Sequence, residues 1–422
     1  PKAQLMAAYA YYLDNKYDDA VNALDRFIEL QPESAQGYIQ RADSMRIIRE
    51  RWADEAFAAA GDVFAWKARE TGREILADTT NAEGIAGPDD ERLDPELPAP
   101  VNQDYCLQYN LRLNFTSLEK LYHDPQAIIA DPQAFLAQDP AYLLLAHSRS
   151  YGGQPFDFDA WLADVAKLAS RSLEQRQRQV PYRLYQLIRE HQQAFCQEVG
   201  AHVLAYLPQG SASGATIYLT ALDDPWPGYF KEREIVFSLS HPLFLYATRI
   251  YAPTGLSTFF NLALQELFHV GFAASYPWPS LEEHKQDEIV IDMLINLQNE
   301  GIATWIEYEL ADQYPSPFEW FLYLVDQKPV VCVYITDLNE LFAIAQTRPT
   351  GDAYDDIYRK IGAIGYNRKG FNIVGAYMAA KIEAELGRDA LIQTIQDGYQ
   401  AFADTYNALV DEEMQIRWLP TP

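Results

Sequence analysis

QELFHVGFAASYPWPSLEEHKQDEIVIDMLINLQNEGIATWIEYEL, residues 265–310, is the stretch from which the fold is read. It predicts the ends of two long helices, 256–274 and 281–311, separated by a short break. Residues 265 and 269 lie four apart and so share one face of the first helix. Upstream, ATIYLTA at 215–221 alternates and is β-branched, and EIVFSLS at 234–240 is a second candidate strand. DDPWPGYF at 223–230 is predicted as a loop between them. Residues 158–200 predict one or two helices broken near Pro181, and 318–416 is mostly helical. Gly387 should stop one helix and Asp389 should cap the next. The expected class is mainly α, an α+β domain of many helices with a small β-sheet over 105–422.

The N-terminal part differs. In residues 2–34, Ala8 and Ala20 allow two antiparallel helices to approach, Tyr11, Tyr17 and Phe27 fill the gap, and Pro32 ends the second. A looser copy follows with Tyr38, Ala42, Met45, Trp52, Ala56 and Ala60. Residues 1–76 thus resemble tetratricopeptide helical hairpins, and AYAYYLDNKYDDAVNALDRFIELQPES also resembles repeats of bacterial envelope-assembly lipoproteins. The resemblance implies a docking surface for a peptide or protein partner; a plain structural hairpin pair is the alternative. Residues 77–104 lose all apolar period and predict an acidic, Pro-rich linker.

The net charge of -27 argues against a nucleic-acid partner and an anionic membrane surface. No apolar run is long enough for a membrane span. Cys106, Cys196 and Cys332 are odd in number and far apart, so no disulfide framework or cysteine-based zinc site is expected. That favours a cytoplasmic location, although the start at Pro1 leaves an exported or envelope-associated protein open.

The chemistry lies in Gln265-Glu266-Leu267-Phe268-His269. In H-E-x-x-H at this spacing, two histidines bind zinc and the glutamate is general base on the zinc-bound water. Here Gln265 stands at the first histidine. The second helix carries Asn299-Glu300-Gly301-Ile302-Ala303. Residues 265–310 resemble a family of zinc-dependent peptidases of the glutamate-zincin type, which pair H-E-x-H-H-x-G-F with a downstream E-G-x-A. FNIVGAYMAAKIEAELGRDAL resembles that family's closing helices. The resemblance implies Glu266 as base, His269 and Glu300 as zinc ligands, and Gln265 as a surrogate or vestigial ligand. His284, Asp287 and Asp292 are candidate replacements for the missing ligand; a harder metal held by the Gln265 carbonyl and an empty centre are the other outcomes.

Tyr366 and Arg368 are candidate oxyanion stabilisers. Strand 215–221 could take an extended peptide if it lies at an edge. His241 is expected to be structural, and Ser238-Leu239-Ser240 lacks the glycine elbow of serine hydrolases. A di-iron bundle would need a second E-x-x-H. The functional expectation is a metal-dependent peptidase or a divergent relative. The alternative is an inactive pseudopeptidase that binds a peptide or protein through its repeats.

Overall fold

The computed structural model describes Arg26 and residues 111–151, 158–175, 179–211, 214–222, 228–250, 252–311, 313–314 and 320–418. The helical hairpins expected over 1–76 and the linker expected over 77–104 lie outside these residues, Arg26 excepted. In chain order the elements are β1 (Arg112–Asn114), α1 (Thr116–His123), α2 (Pro125–Ala130), α3 (Pro132–Gln138), α4 (Pro140–Tyr151), α5 (Phe158–Gln175), α6 (Val180–Glu190) and α7 (Gln192–Leu204). Next come β2 (Thr216–Thr220), β3 (Gly228–Lys231), β4 (Glu234–Ser238), α8 (Pro242–Ile250), α9 (Ala252–Ser275) and α10 (Leu281–Leu310). The chain closes with α11 (Lys328–Ala345), α12 (Asp352–Ile361), α13 (Gly370–Leu386), α14 (Arg388–Asp397) and α15 (Tyr399–Asn407). The fold is mainly α with one small sheet, as expected. Among the described residues, no helix is long and apolar enough to cross a membrane.

These elements form two compact units. The first holds the described residues up to Cys196, Ala215–Leu262 and Tyr314. Its sheet has the order β1-β2-β4-β3, with β3 antiparallel to β4 and the other pairings parallel. One sequence expectation is corrected here. Gly228, Tyr229 and Phe230 form β3, not loop, because they pair with Phe237, Val236 and Ile235. The 215–221 strand is also internal, so both its sides are taken and no peptide can extend the sheet there. Behind β4, Phe195, Phe237, Phe244 and Phe259 are fully buried, with Phe259 5.1 Å from Phe195 and 5.4 Å from Phe237. Pro181 opens α6 instead of interrupting a longer helix, since its missing N–H costs nothing in a first turn. Cys196 is buried and disulfide-bonded, whereas Cys332 is free. This bond was not expected from the odd number and wide spacing of the cysteines.

The second unit holds the described residues of 197–214, 263–313 and 319–422. Its centre is the packing of α10 against α13. A β-carbon added at Gly301 would lie 2.3 Å from the Gly375 carbonyl carbon, and one added at Gly375 would lie 2.1 Å from the Leu297 oxygen. Only glycine lets the two backbones approach this closely. Around the crossing, Ile302, Ala303, Ile373, Val374 and Ala376 are buried. At the other end of α10, the Tyr206 hydroxyl lies between Glu309 and Glu383. Trp305 Nε1 donates to Glu383 at 2.6 Å, and Arg388 Nε donates to the same carboxylate at 2.6 Å. The Arg388 guanidinium also stacks 4.0 Å over the Tyr206 ring. This clamp joins α10, α13 and α14. Gly387 ends α13 as expected, with φ +88, but it is also the cap of α14; Asp389 lies in the first turn, not at the cap.

The glycine contact gives a paired prediction. Gly301→Ala should lower stability by about 1–3 kcal/mol, the usual cost of overpacking. Gly362 has helical φ and ψ of -56 and -45 and nothing within 4 Å of an added β-carbon. Gly362→Ala should therefore be neutral or stabilise by up to ~1 kcal/mol. Urea denaturation of the two variants checks the contrast.

Candidate active site

The second half of α9 runs antiparallel to α10, because Gln265 meets Glu307 and, one turn on, His269 meets Asn299 and Glu300. Pro277 and Pro279, in the connection after Ser275, stop α9 and force the reversal. Gly271, on α9, leaves space that Leu207 fills; an added β-carbon would sit 2.1 Å from its side chain. All these residues belong to the second unit.

His269 is buried, and its Nδ1 lies 2.9 Å from Asn299 Oδ1. A carbonyl oxygen only accepts, so in the neutral ring Nδ1 carries the hydrogen and Nε2 presents its lone pair. Nε2 lies 3.7 Å from Glu300 Oε1. The second Glu300 oxygen accepts from Asn372 Nδ2 at 3.0 Å, and the same amide nitrogen is 3.0 Å from Thr304 Oγ1. Asn372, in the first turn of α13, is placed there by the crossing at Gly301 and Gly375.

Glu266 follows Gln265 on α9. Its surface is not fully covered, but its carboxyl sits deep enough that desolvation pushes the pKa up to about 7. His269 and Lys369 pull it down and Glu300 pushes it further up. A carboxyl in this range can release or take a proton near neutral pH. Lys369 precedes α13 in a left-handed conformation, φ +59, and its ammonium lies 5.4 Å from the centre of the Phe321 ring.

Zinc on this arrangement can be judged from its donors. Ligand atoms on tetrahedral zinc stand about 3.3–3.5 Å apart, and the 3.7 Å from His269 Nε2 to Glu300 Oε1 is close to such an edge. The third position is the difficulty. Gln265 Nε2 donates to Glu307 Oε2 at 2.6 Å, and Glu307 is completely buried. The amide offers only its neutral oxygen, a weak zinc ligand. Among the described residues, no three His, Cys, Asp or Glu side chains are grouped to hold a metal. Asp287 and Asp292 cannot substitute, since they precede Glu300 on α10 by about 20 and 12 Å of helix axis. Asp287 is instead paired with Arg348 at 2.9 Å. His284 is farther along the same helix, and its side chain lies outside the described residues. The described residues therefore fall one strong donor short of a catalytic zinc centre.

The other candidates sit as follows. Tyr366 lies in a π-helical turn, Gly362–Asn367, is 45% exposed and packs 5.3 Å from Phe371. Arg368 is 4.0 Å from Asp337. The cation that acts on Glu266 is Lys369, which sequence reading passed over. His241 Nδ1 accepts from the Leu243 N–H at the start of α8. Ser238 and Ser240 donate to the Leu222 and Ala221 carbonyls. Glu307 was also missed, although its spacing of seven from Glu300 puts both on one helical face.

The family model described as "Putative zinc dependent peptidase (DUF5700)" matches residues 169–415, more than half of the 422-residue chain. No curated protein and no solved structure matches the chain.

Asn372 is 1% exposed and supplies hydrogen bonds to two side chains. Asn372→Leu should cost about 1–3 kcal/mol, because Glu300 and the buried Thr304 hydroxyl both lose their Asn372 donor. Thermal melts check this, with Thr304→Val expected to cost less.

Proposed function

We propose, from the premise that this chain belongs to the peptidase family so described, that it is a divergent metallopeptidase-type domain with a weakened hold on zinc. The observation that supports this reading is the bond from Gln265 Nε2 to Glu307, at the position that the H-E-x-x-H resemblance gives to the first histidine. His269 and Glu300 keep the relative placement of two ligands. Glu266 keeps the place of the base, and its raised pKa suits proton transfer at neutral pH. Lys369 adds positive charge beside Glu266. The site then receives a peptide as a peptidase would, while the missing donor limits cleavage. Residues 1–76, in the same reading, recruit a protein partner.

A second reading, a working peptidase, draws on the His269 geometry. The Nδ1 contact to Asn299 fixes the ring with Nε2 toward Glu300, as a ligating histidine requires.

Metal content per chain, measured by mass spectrometry on protein purified without chelators or a His tag, separates the two. The divergent reading expects far less than one zinc per chain, and no peptide cleavage beyond that of Glu266→Gln. Near-stoichiometric zinc that disappears in His269→Ala, with peptide cleavage lost in Glu266→Gln, would replace it with the working peptidase.

A further inference from the structure

Glu307 is a carboxylate with no exposed surface, buried in the helix interface, and neither the base nor the ligand positions use it. Burying such a group is costly unless something holds it. What it faces is the side-chain nitrogen of residue 265, at 2.6 Å. In metal centres, a ligating histidine typically donates its other ring N–H to a carboxylate, which sets the tautomer and turns the free nitrogen to the metal. On the neighbouring rung the same logic is present with an amide: Asn299 holds His269 Nδ1 and leaves Nε2 for the Glu300 side. Glu307 stands to position 265 as Asn299 stands to 269.

We infer that Glu307 is the positioning residue for a metal-binding side chain at position 265, and that this centre is one side chain short of tight zinc binding. The inference rests on the reading of the domain as a metallopeptidase scaffold. Glu307 sits on the same face of α10 as Glu300, two turns further on, so one helix supplies both a ligand and the group that orients another. Gln265 keeps an N–H that donates to Glu307 Oε2 but offers an amide oxygen where histidine would offer an imidazole nitrogen. One carboxylate oxygen keeps its donor, while a metal would find one strong donor fewer.

The test is zinc titration by calorimetry on the full chain, with zinc alone as probe. Gln265→His should bind zinc about 100-fold or more tighter than the wild type, consistent with restoring an inner-sphere ligand. Adding Glu307→Gln to Gln265→His should lower that affinity about 10–100-fold, and Glu307→Asp should recover part of the loss. The zinc-induced rise in melting temperature is read in parallel, so a variant of reduced stability still reports binding. If Gln265→His gains zinc that Glu307→Gln leaves unchanged, the role of Glu307 is overturned and the scaffold reading stands. If folded Gln265→His gains no zinc, both fall together.

Discussion

The contact that the second unit depends on is the one between Gly301 and Gly375. Two helices cross there with backbone against backbone, closer than any side chain permits. Because the crossing lies beside Glu300 and one turn from Asn372, it fixes where the carboxylate is and which amide holds it. The packing of the unit and the geometry of its site are therefore one constraint. A helix pair spaced by leucines would set its axes about 8–10 Å apart and move Asn372 out of reach.

Against that frame stands an electrostatic difficulty. Glu266, Glu300 and Glu307 lie along the α9 and α10 interface of a chain with net charge -27. The fold answers them in two ways. Glu300 has the Asn372 amide, Glu307 has the Gln265 amide, and Glu266 rises in pKa with His269 and Lys369 as its favourable neighbours. Amides satisfy carboxylates without supplying charge, so the interface stays receptive to a cation.

Much of this was legible because it is periodic. The spacing of Gln265, Glu266 and His269 set them on one stretch of helix, and the resemblance to a family with a downstream E-G-x-A set Glu300 beside them. Gly301 was visible as part of E-G-x-A, though its reason, a backbone crossing with a residue 74 positions later, was not. Long-range partners were the general failure. Asn372 lies on α13 and Lys369 just before it, and no local pattern encodes the distance of that helix from α10. β3 was hidden by Trp226, Pro227 and Gly228, which read as turn chemistry although pairing with β4 begins at Gly228. Asp287 and Asp292 were nominated from closeness in sequence, and helical rise separates them from Glu300.

The pairing of Gln265 with Glu307 also has a genetic side. Glutamine and histidine codons share their first two bases and differ only at the third. The structure around residue 265 involves Glu307, Asn299, Asn372 and two glycines, and rebuilding it would take many separate changes. The residue that most alters the donor set thus lies a single point mutation from histidine, while its surroundings do not. Forms of this domain with either residue are immediate neighbours in sequence space, and a lineage can pass between them without rebuilding the fold.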